Sequence, residues 1–277
     1  MGIDYTGLRA LAYAKSKGVQ FEQTAIIGQQ HLLVRKNTIH RVLKKLGDIS
    51  ETDLNLIARE KFAEQLFIFL GSKKVDSFDI SDFEQATFLH DMNKPIESTR
   101  VNAYDLVYDG GTLEHVFNFP VAIKNCMEMV RPGGYFLSVT MANNFNGHGF
   151  YQFSPELFFR IFSPENGYII DSIIICTGNT WYLVRDPNEM KSRVEFHNTV
   201  GTYLIVLAKK TATADIFAQS PFQSDYAQQW KTSDNHANAT SANNTSRYTL
   251  ERICRKLKSL YKKYFVRYDK KFFRKME

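Results

Sequence analysis

No part of the 277-residue sequence approaches the roughly 20 uninterrupted apolar residues that cross a bilayer, and its opening, MGIDYTGLRALAYAKSKG, lacks the apolar core of an export signal. The chain is therefore expected to be cytoplasmic, neither exported nor membrane-spanning. Cysteine is scarce: Cys126, Cys176 and Cys254 are an odd number without CxxC spacing, which argues against a disulfide framework or a thiolate metal centre and suits a reducing compartment. No metal-ligand set is read from the sequence, and no solenoid-type repeat is visible.

Most of the chain also lacks a basic surplus. The net charge is +6, but 12 of the 35 Lys and Arg and only 3 of the 29 Asp and Glu lie in 247–277. Positions 1–246 therefore carry a net charge of −3, which argues against a broad nucleic-acid surface on the main body. Disorder is excluded for most of the chain by 44% hydrophobic and 14% aromatic residues. The length suits one sizeable α/β domain with appendages.

Helical spacing of Leu8, Leu11, Ala12 and Lys15 predicts an N-terminal helix within residues 1–20, stopped by Gly18. A strand broken at Gly28 follows over Gln23 to Val34, then helical segments over Asn37–Leu46 and Asp53–Leu70, the second closed by Gly71. Strand signals recur at Val75–Ile80, Thr87–His90 and Tyr104–Tyr108, each ending in or beside an acid: Asp79, Asp91, Asp109. A helix over Phe119–Val130, a turn at Arg131–Gly134, a strand over Tyr135–Thr140, a helix start at Ser154-Pro155-Glu156 and strands over Tyr168–Cys176 and Thr202–Ala208 complete the pattern. This alternation predicts a parallel-type sheet with helices on both faces, and ligands at the carboxyl ends of its strands.

The segment Tyr104 to Val139, YDLVYDGGTLEHVFNFPVAIKNCMEMVRPGGYFLSV, resembles the second half of class I S-adenosylmethionine-dependent methyltransferases: fourth strand, acid, EHV turn, helix, RPGG turn, fifth strand. The likeness is strongest from Val75 to about Ser163, and Asn143 to Phe162 further resembles a bacterial subgroup often linked to surface-glycan and secondary-metabolite pathways. The resemblance implies a Rossmann-like methyltransferase domain over 21–230 with S-adenosylmethionine as cofactor. It places Asp79 on the ribose hydroxyls, Asp91 near the adenine amino group with the Met92 backbone beside the ring, and Asp109 and Gly110 beside the sulfonium. A carboxylate suits the ribose position because it accepts two hydrogen bonds from a vicinal diol. At the first strand the family's GxGxG loop is reduced to AIIGQQ, with Gly28 alone, so Gln29 or Gln30 is expected to replace main-chain contacts.

Methyl transfer from a sulfonium is an in-line displacement that needs alignment, exclusion of water and, for a hydroxyl acceptor, a base. His148, between Gly147 and Gly149, and His115 are the candidate bases, and Tyr151 and Gln152 are candidate acceptor-pocket residues. For each a structural role remains open: His115 oriented by Glu114, Tyr151 and Gln152 packing the next helix. Neither an Asn-Pro-Pro-Tyr-like motif nor a Pro-Cys nucleophile is present, which leaves a hydroxyl of a small-molecule or glycan-like acceptor as the leading choice. Two alternatives stand beside it: a non-catalytic binding or regulatory protein on the same fold, and a nucleic-acid methyltransferase suggested only by the basic tail.

Residues 231–246 are polar and read as a flexible linker. In 247–277, Leu250, Ile253, Leu257, Leu260, Tyr261, Tyr264, Phe265 and Tyr268 form one apolar stripe beside a basic face. A C-terminal amphipathic helix is predicted there, suited to an anionic membrane surface, an acidic protein, or the chain's own domain.

Overall fold

Strict alternation of inward side chains sorts the strands onto two apolar layers. Ala25, Ile27, Val107, Ile173, Ile175, Leu204 and Val206 pack on one face. Ile26, Leu106, Tyr108, Ile174, Ile205 and Leu207 pack on the other. A period of two with both faces apolar is what a sheet covered by helices on both sides requires. The computed structural model describes residues 2–226, 267–268 and 272–276, and the expected linker lies outside them.

In chain order the elements are β1 (Gly2–Ile3), α1 (Tyr5–Ser16), β2 (Gln23–Ile27), β3 (His31–Leu32), α2 (Lys36–Leu43), α3 (Glu51–Arg59), α4 (Glu64–Phe69), β4 (Lys74–Asp79) and β5 (Phe88–Leu89). They continue with β6 (Tyr104–Asp109), α5 (Phe119–Met129), β7 (Val130–Asn143), α6 (Pro155–Ile161), β8 (Tyr168–Thr177), β9 (Thr180–Val184), α7 (Pro187–Met190), β10 (Phe196–His197), β11 (Thr202–Lys210), β12 (Arg267–Tyr268) and β13 (Phe273–Lys275). The main sheet runs β13-β9-β8-β11-β7-β6-β2-β4-β5. Strands β5, β4, β2, β6 and β7 are mutually parallel, and β11 enters antiparallel between β7 and β8. Helices α1 to α4 contribute to one apolar layer, α5 and α6 to the other. This is the expected α/β, Rossmann-like sheet with helices on both faces.

From β2 the chain moves outward through β4 to β5, then returns to build β6 and β7 on the other side of β2. The crevice where the strand order reverses therefore opens at the carboxyl ends of β2 and β6, the favoured ligand position in such sheets.

Local chemistry explains most element ends. Asp4 caps α1 by accepting from the Gly7 amide at 2.9 Å, and Gly18 follows the helix at φ +83°. Ser154 caps α6, with Pro155 in its first turn.

Four expectations are corrected. The single helix expected over Asp53–Leu70 is two, because Lys61 and Ala63 pair their backbones with Leu32 and Gln30 (3.1 and 2.9 Å) and Phe62 bridges His31. Arg131–Gly134 is not a free turn but lies within β7, as an irregularity between the pairs Tyr104/Val130 and Leu106/Tyr135, with Arg131 ion-paired to buried Asp105. Strand β9 was not expected; its Trp181, Tyr182 and Val184 are buried. Of the expected C-terminal helix, the described parts are strands: β12 pairs with β10, and β13 forms the sheet edge on β9 with Phe272 and Phe273 buried. The rest of 247–277 lies outside the described residues. No helix among the described residues is long and apolar enough to cross a membrane.

Candidate functional site

Strand β2 ends at Gly28, whose φ of +71° is left-handed and whose amide donates to the Phe78 carbonyl at 2.7 Å. The next amide, of Gln29, donates to Asp79 Oδ2 at 3.1 Å, so the acid closing β4 leans over the end of β2. Gln29 Nε2 donates to Glu64 Oε1 at 2.6 Å. Gln30 is fully buried and donates to the Ile27 carbonyl at 3.1 Å, while its Oε1 has no partner and lies against Gly110: a Cβ there would sit 2.5 Å from it. Two glutamine side chains thus follow Gly28, one braced to α4 and one turned toward the end of β6.

Asp109 is completely buried. Its Oδ1 accepts from the Thr112 and Leu113 amides (2.9 and 3.2 Å), and its Oδ2 accepts from Ser138 Oγ at 2.7 Å. Oδ1 thus holds the turn that follows β6, and Oδ2 ties β6 to β7. Glu114, on that turn, is also fully buried; its Oε2 accepts from Thr140 Oγ1 at 2.9 Å, whereas its Oε1 is unpartnered and lies against Gly111. Burial raises the Asp109 carboxyl to about 6, against the hydrogen bonds that hold it down. Burial raises Glu114 further, to about 8, with the charge of Asp109 adding to the effect.

A cavity of about 520 Å³ opens at this point, lined by Gly110 and Gly111 from the end of β6, Tyr108, Val139 and Met141 from the sheet, His31 and Leu33, His148, Tyr203 and the N-terminal Gly2, Asp4 and Gly7. The Tyr108 hydroxyl at its wall is buried without a partner. Among the described residues, four of the six buried side-chain polar atoms lacking a partner belong to Gln29, Gln30, Tyr108 and Glu114. Buried polar groups are normally satisfied, so their concentration around one crevice marks a place prepared for a polar ligand.

The residues singled out by sequence divide into three groups. Gly28, Gln29 and Asp79 meet at the ends of β2 and β4, outside the cavity lining, and Gly110 lines the cavity. His148 lines the cavity; its Nε2 is 3.9 Å from Glu114 Oε1, and His115 meets it edge to face with ring centroids 5.0 Å apart. Burial, and then His148, lowers the His115 pKa. Asp91, Met92, Tyr151 and Gln152 do not line the cavity. Asp91 accepts from the amide and side chain of Asn93 (3.0 and 2.8 Å), and Met92 is buried in the core. Tyr151 donates to the Phe117 carbonyl at 2.7 Å within a Phe119–Phe153 cluster, and Gln152 accepts from the Phe145 amide at 2.8 Å, bracing the loop that carries His148.

Asp4, Gly7, His31, Tyr108 and Tyr203 carry no sequence signal for this cavity. The N-terminus reaches it because β1 pairs with β3, Gly2 opposite His31.

No family model matches the sequence, and no curated protein matches it. Solved structures that it resembles include 1,6-didemethyltoxoflavin-N1-methyltransferase from Burkholderia thailandensis, bound to 1,6-didemethyltoxoflavin and S-adenosylhomocysteine (11% identity, TM-score 0.41, 76% of this chain and 80% of that one). N-methyltransferase NodS from Bradyrhizobium japonicum WM9, with S-adenosylhomocysteine, is similar at 14% identity and TM-score 0.40, over 75% of this chain and 86% of that one. A branched-chain polyamine synthase from Thermus thermophilus is similar at 11% identity and TM-score 0.39, over 78% of this chain and 60% of that one.

Proposed function

We propose that this chain is an S-adenosylmethionine-dependent methyltransferase acting on a hydroxyl of a small-molecule or glycan-like acceptor. The observation that carries the reading is the set of unpartnered buried acceptors, Gln30 Oε1 and Glu114 Oε1, against Gly110 and Gly111 at the switch point of the sheet. Acceptor oxygens without donors suit a ligand that is cationic and rich in N–H groups, and the residues present fit the cofactor in that respect. When bound, the cofactor supplies an electrophilic methyl on a sulfonium.

Toward the cofactor, Asp79 would hold the ribose hydroxyls, with one carboxylate oxygen already oriented by the Gln29 amide, and Gln29, Gln30 and Gly110 would surround its cationic end. Asp91 and Met92 would border the adenine through the turn after β5. His148 would receive the acceptor's proton at Nε2, with Glu114 behind it and His115 packed on its ring. Exposed Phe117 and Phe150, edge to face at 5.9 Å, stand two residues beyond His115 and His148; they offer the apolar surface on which a sugar or aromatic acceptor packs. Titration calorimetry with S-adenosylmethionine and S-adenosylhomocysteine tests the reading: absence of heat with both, on folded protein, overturns it.

A non-catalytic binding or regulatory protein is the second reading. It is favoured by one observation, the replacement of the glycine loop by Gln29 and Gln30, whose side chains occupy space near the strand ends. Cofactor binding without turnover on any hydroxyl acceptor would select it. Basic residues of 247–277 keep an anionic membrane or an acidic protein as candidate partners, tested by sedimentation with anionic vesicles at low and high salt.

A further inference from the structure

We infer that Glu114, His115 and His148 form a binding site for one first-row divalent metal ion of the zinc class, opening on the cavity wall. One ligand atom from each of the three lies within 4.8 Å of the others. Two imidazoles and a carboxylate are the donor set of mononuclear zinc and iron sites that keep open positions for substrate. The sequence hides it: the adjacent pair Glu114-His115 lies far along the chain from His148, and only the return of β7 beside β6 brings them together.

The site is built rather than accidental. Glu114 has no solvent exposure; Thr140 engages its Oε2, which fixes the plane of the carboxylate, and its Oε1 has no partner and points to the His148 side at 3.9 Å. A hydrogen-bonded second oxygen is the usual support of a ligating carboxylate. No Lys or Arg among the described residues pairs with Glu114. The His148 loop is tied to the backbone of Glu114, whose carbonyl accepts from the Phe150 and Tyr151 amides (2.7 and 3.2 Å). Gly149, at φ +74°, permits that approach, since a Cβ there would meet the Glu114 carbonyl oxygen at 2.7 Å.

Bonds of about 2.0–2.2 Å in a tetrahedral site separate ligand atoms by about 3.4 Å, so the three must close by up to about 1.5 Å. His148 supplies that movement: its side chain is half exposed and flanked by Gly147 and Gly149, both at positive φ. Of the three ligands His148 lines the cavity; an acceptor hydroxyl entering there would offer an oxygen that fits the ion's preference, and a bound ion lowers the pKa of such an oxygen. In that state His148 holds the ion instead of taking the proton itself. The ion site stands on its own geometry and does not depend on methyl transfer.

The test is titration of full-length, chelator-treated protein with ZnCl2 by calorimetry, with Co2+ absorption as a second readout. One equivalent is expected to bind the wild-type chain, with visible Co2+ bands of a low-coordinate site, and His148→Ala and His115→Ala are each expected to weaken binding at least about tenfold. Both histidines are exposed, so these variants keep the fold, which circular dichroism checks. No stoichiometric binding at ~100 μM Zn2+, or unchanged binding in the His115→Ala/His148→Ala double variant, overturns the proposal and leaves an adventitious ion only. Since the readout is the ion, failure of this site and failure of cofactor binding are separately visible.

Discussion

The Gln29 amide hydrogen-bonds Asp79 Oδ2 across 3.1 Å, joining the ends of β2 and β4 although 50 residues separate them in sequence. That bond leaves the other carboxylate oxygen with only a long contact, 3.4 Å from the Ser81 amide. Asp79→Ala is therefore expected to weaken S-adenosylmethionine or S-adenosylhomocysteine binding by ~1–3 kcal/mol, through loss of charge-assisted hydrogen bonds. Calorimetry on the variant, with thermal unfolding to confirm the fold, checks it; an unchanged affinity removes Asp79 from the site.

His148→Ala is expected to lower the methyl-transfer rate by ~10²–10⁴ while leaving cofactor affinity near that of the wild type, the pattern of a group that handles the acceptor's proton. Steady-state kinetics with an accepted hydroxyl substrate separates the two quantities. A rate that survives the substitution moves the proton to His115 or to solvent.

Gly149→Ala places a methyl group 2.7 Å from the Glu114 carbonyl oxygen at a φ of +74°. It is expected to cost about 1–3 kcal/mol of stability or to displace the loop that carries His148. Denaturant unfolding reads the first outcome, and an activity loss resembling that of His148→Ala reads the second. A variant equal to the wild type in both shows that the loop is not seated on Glu114.

Lys210 is 2% exposed and donates to Asn102 Oδ1 and the Met127 carbonyl, each at 2.9 Å. Burial lowers its pKa from 10.5 to about 8, with Glu128 acting in the opposite direction. A depressed base means that the folded chain binds fewer protons than the unfolded one, so this group's contribution to stability rises with pH between about 8 and 10.5 and its penalty is fully present below that window. Lys210→Met is expected to flatten that slope in melting temperature against pH. An identical slope in both proteins contradicts the assignment.

Fold class was legible because the signals that specify it are local. Two-residue periodicity with both faces apolar identifies covered strands, Asp4 and Ser154 cap helices through neighbours three and two residues away, and acids at the ends of β4 and β6 appear as Asp79 and Asp109. Local signals also misled. Helical spacing over Asp53–Leu70 was broken by pairing of Lys61 and Ala63 with the segment after β2, and the basic, aromatic end of the chain supplies sheet-edge strand β13. Backbone groups there are satisfied by partners distant in sequence, which no window of residues displays.

By itself the sequence determined the alternation of strand and helix and the parallel half of the sheet, and it offered Asp79, Gly110 and His148 as candidate site residues. Tertiary structure alone decided which of two buried acids keeps an unpartnered oxygen. Asp109 and Glu114 are both buried carboxyl groups five residues apart, yet Ser138 and the Thr112 and Leu113 amides engage both oxygens of Asp109, while Glu114 Oε1 has no partner. It also decided that His148 lies beside Glu114 and His115, that Tyr151 packs on Phe119 and Phe153, and that Gln152 braces the loop. The physical reason is common to all of these: a side chain's role follows from which donors reach it first, and that is fixed by strand register and loop closure between segments that are not neighbours in the chain.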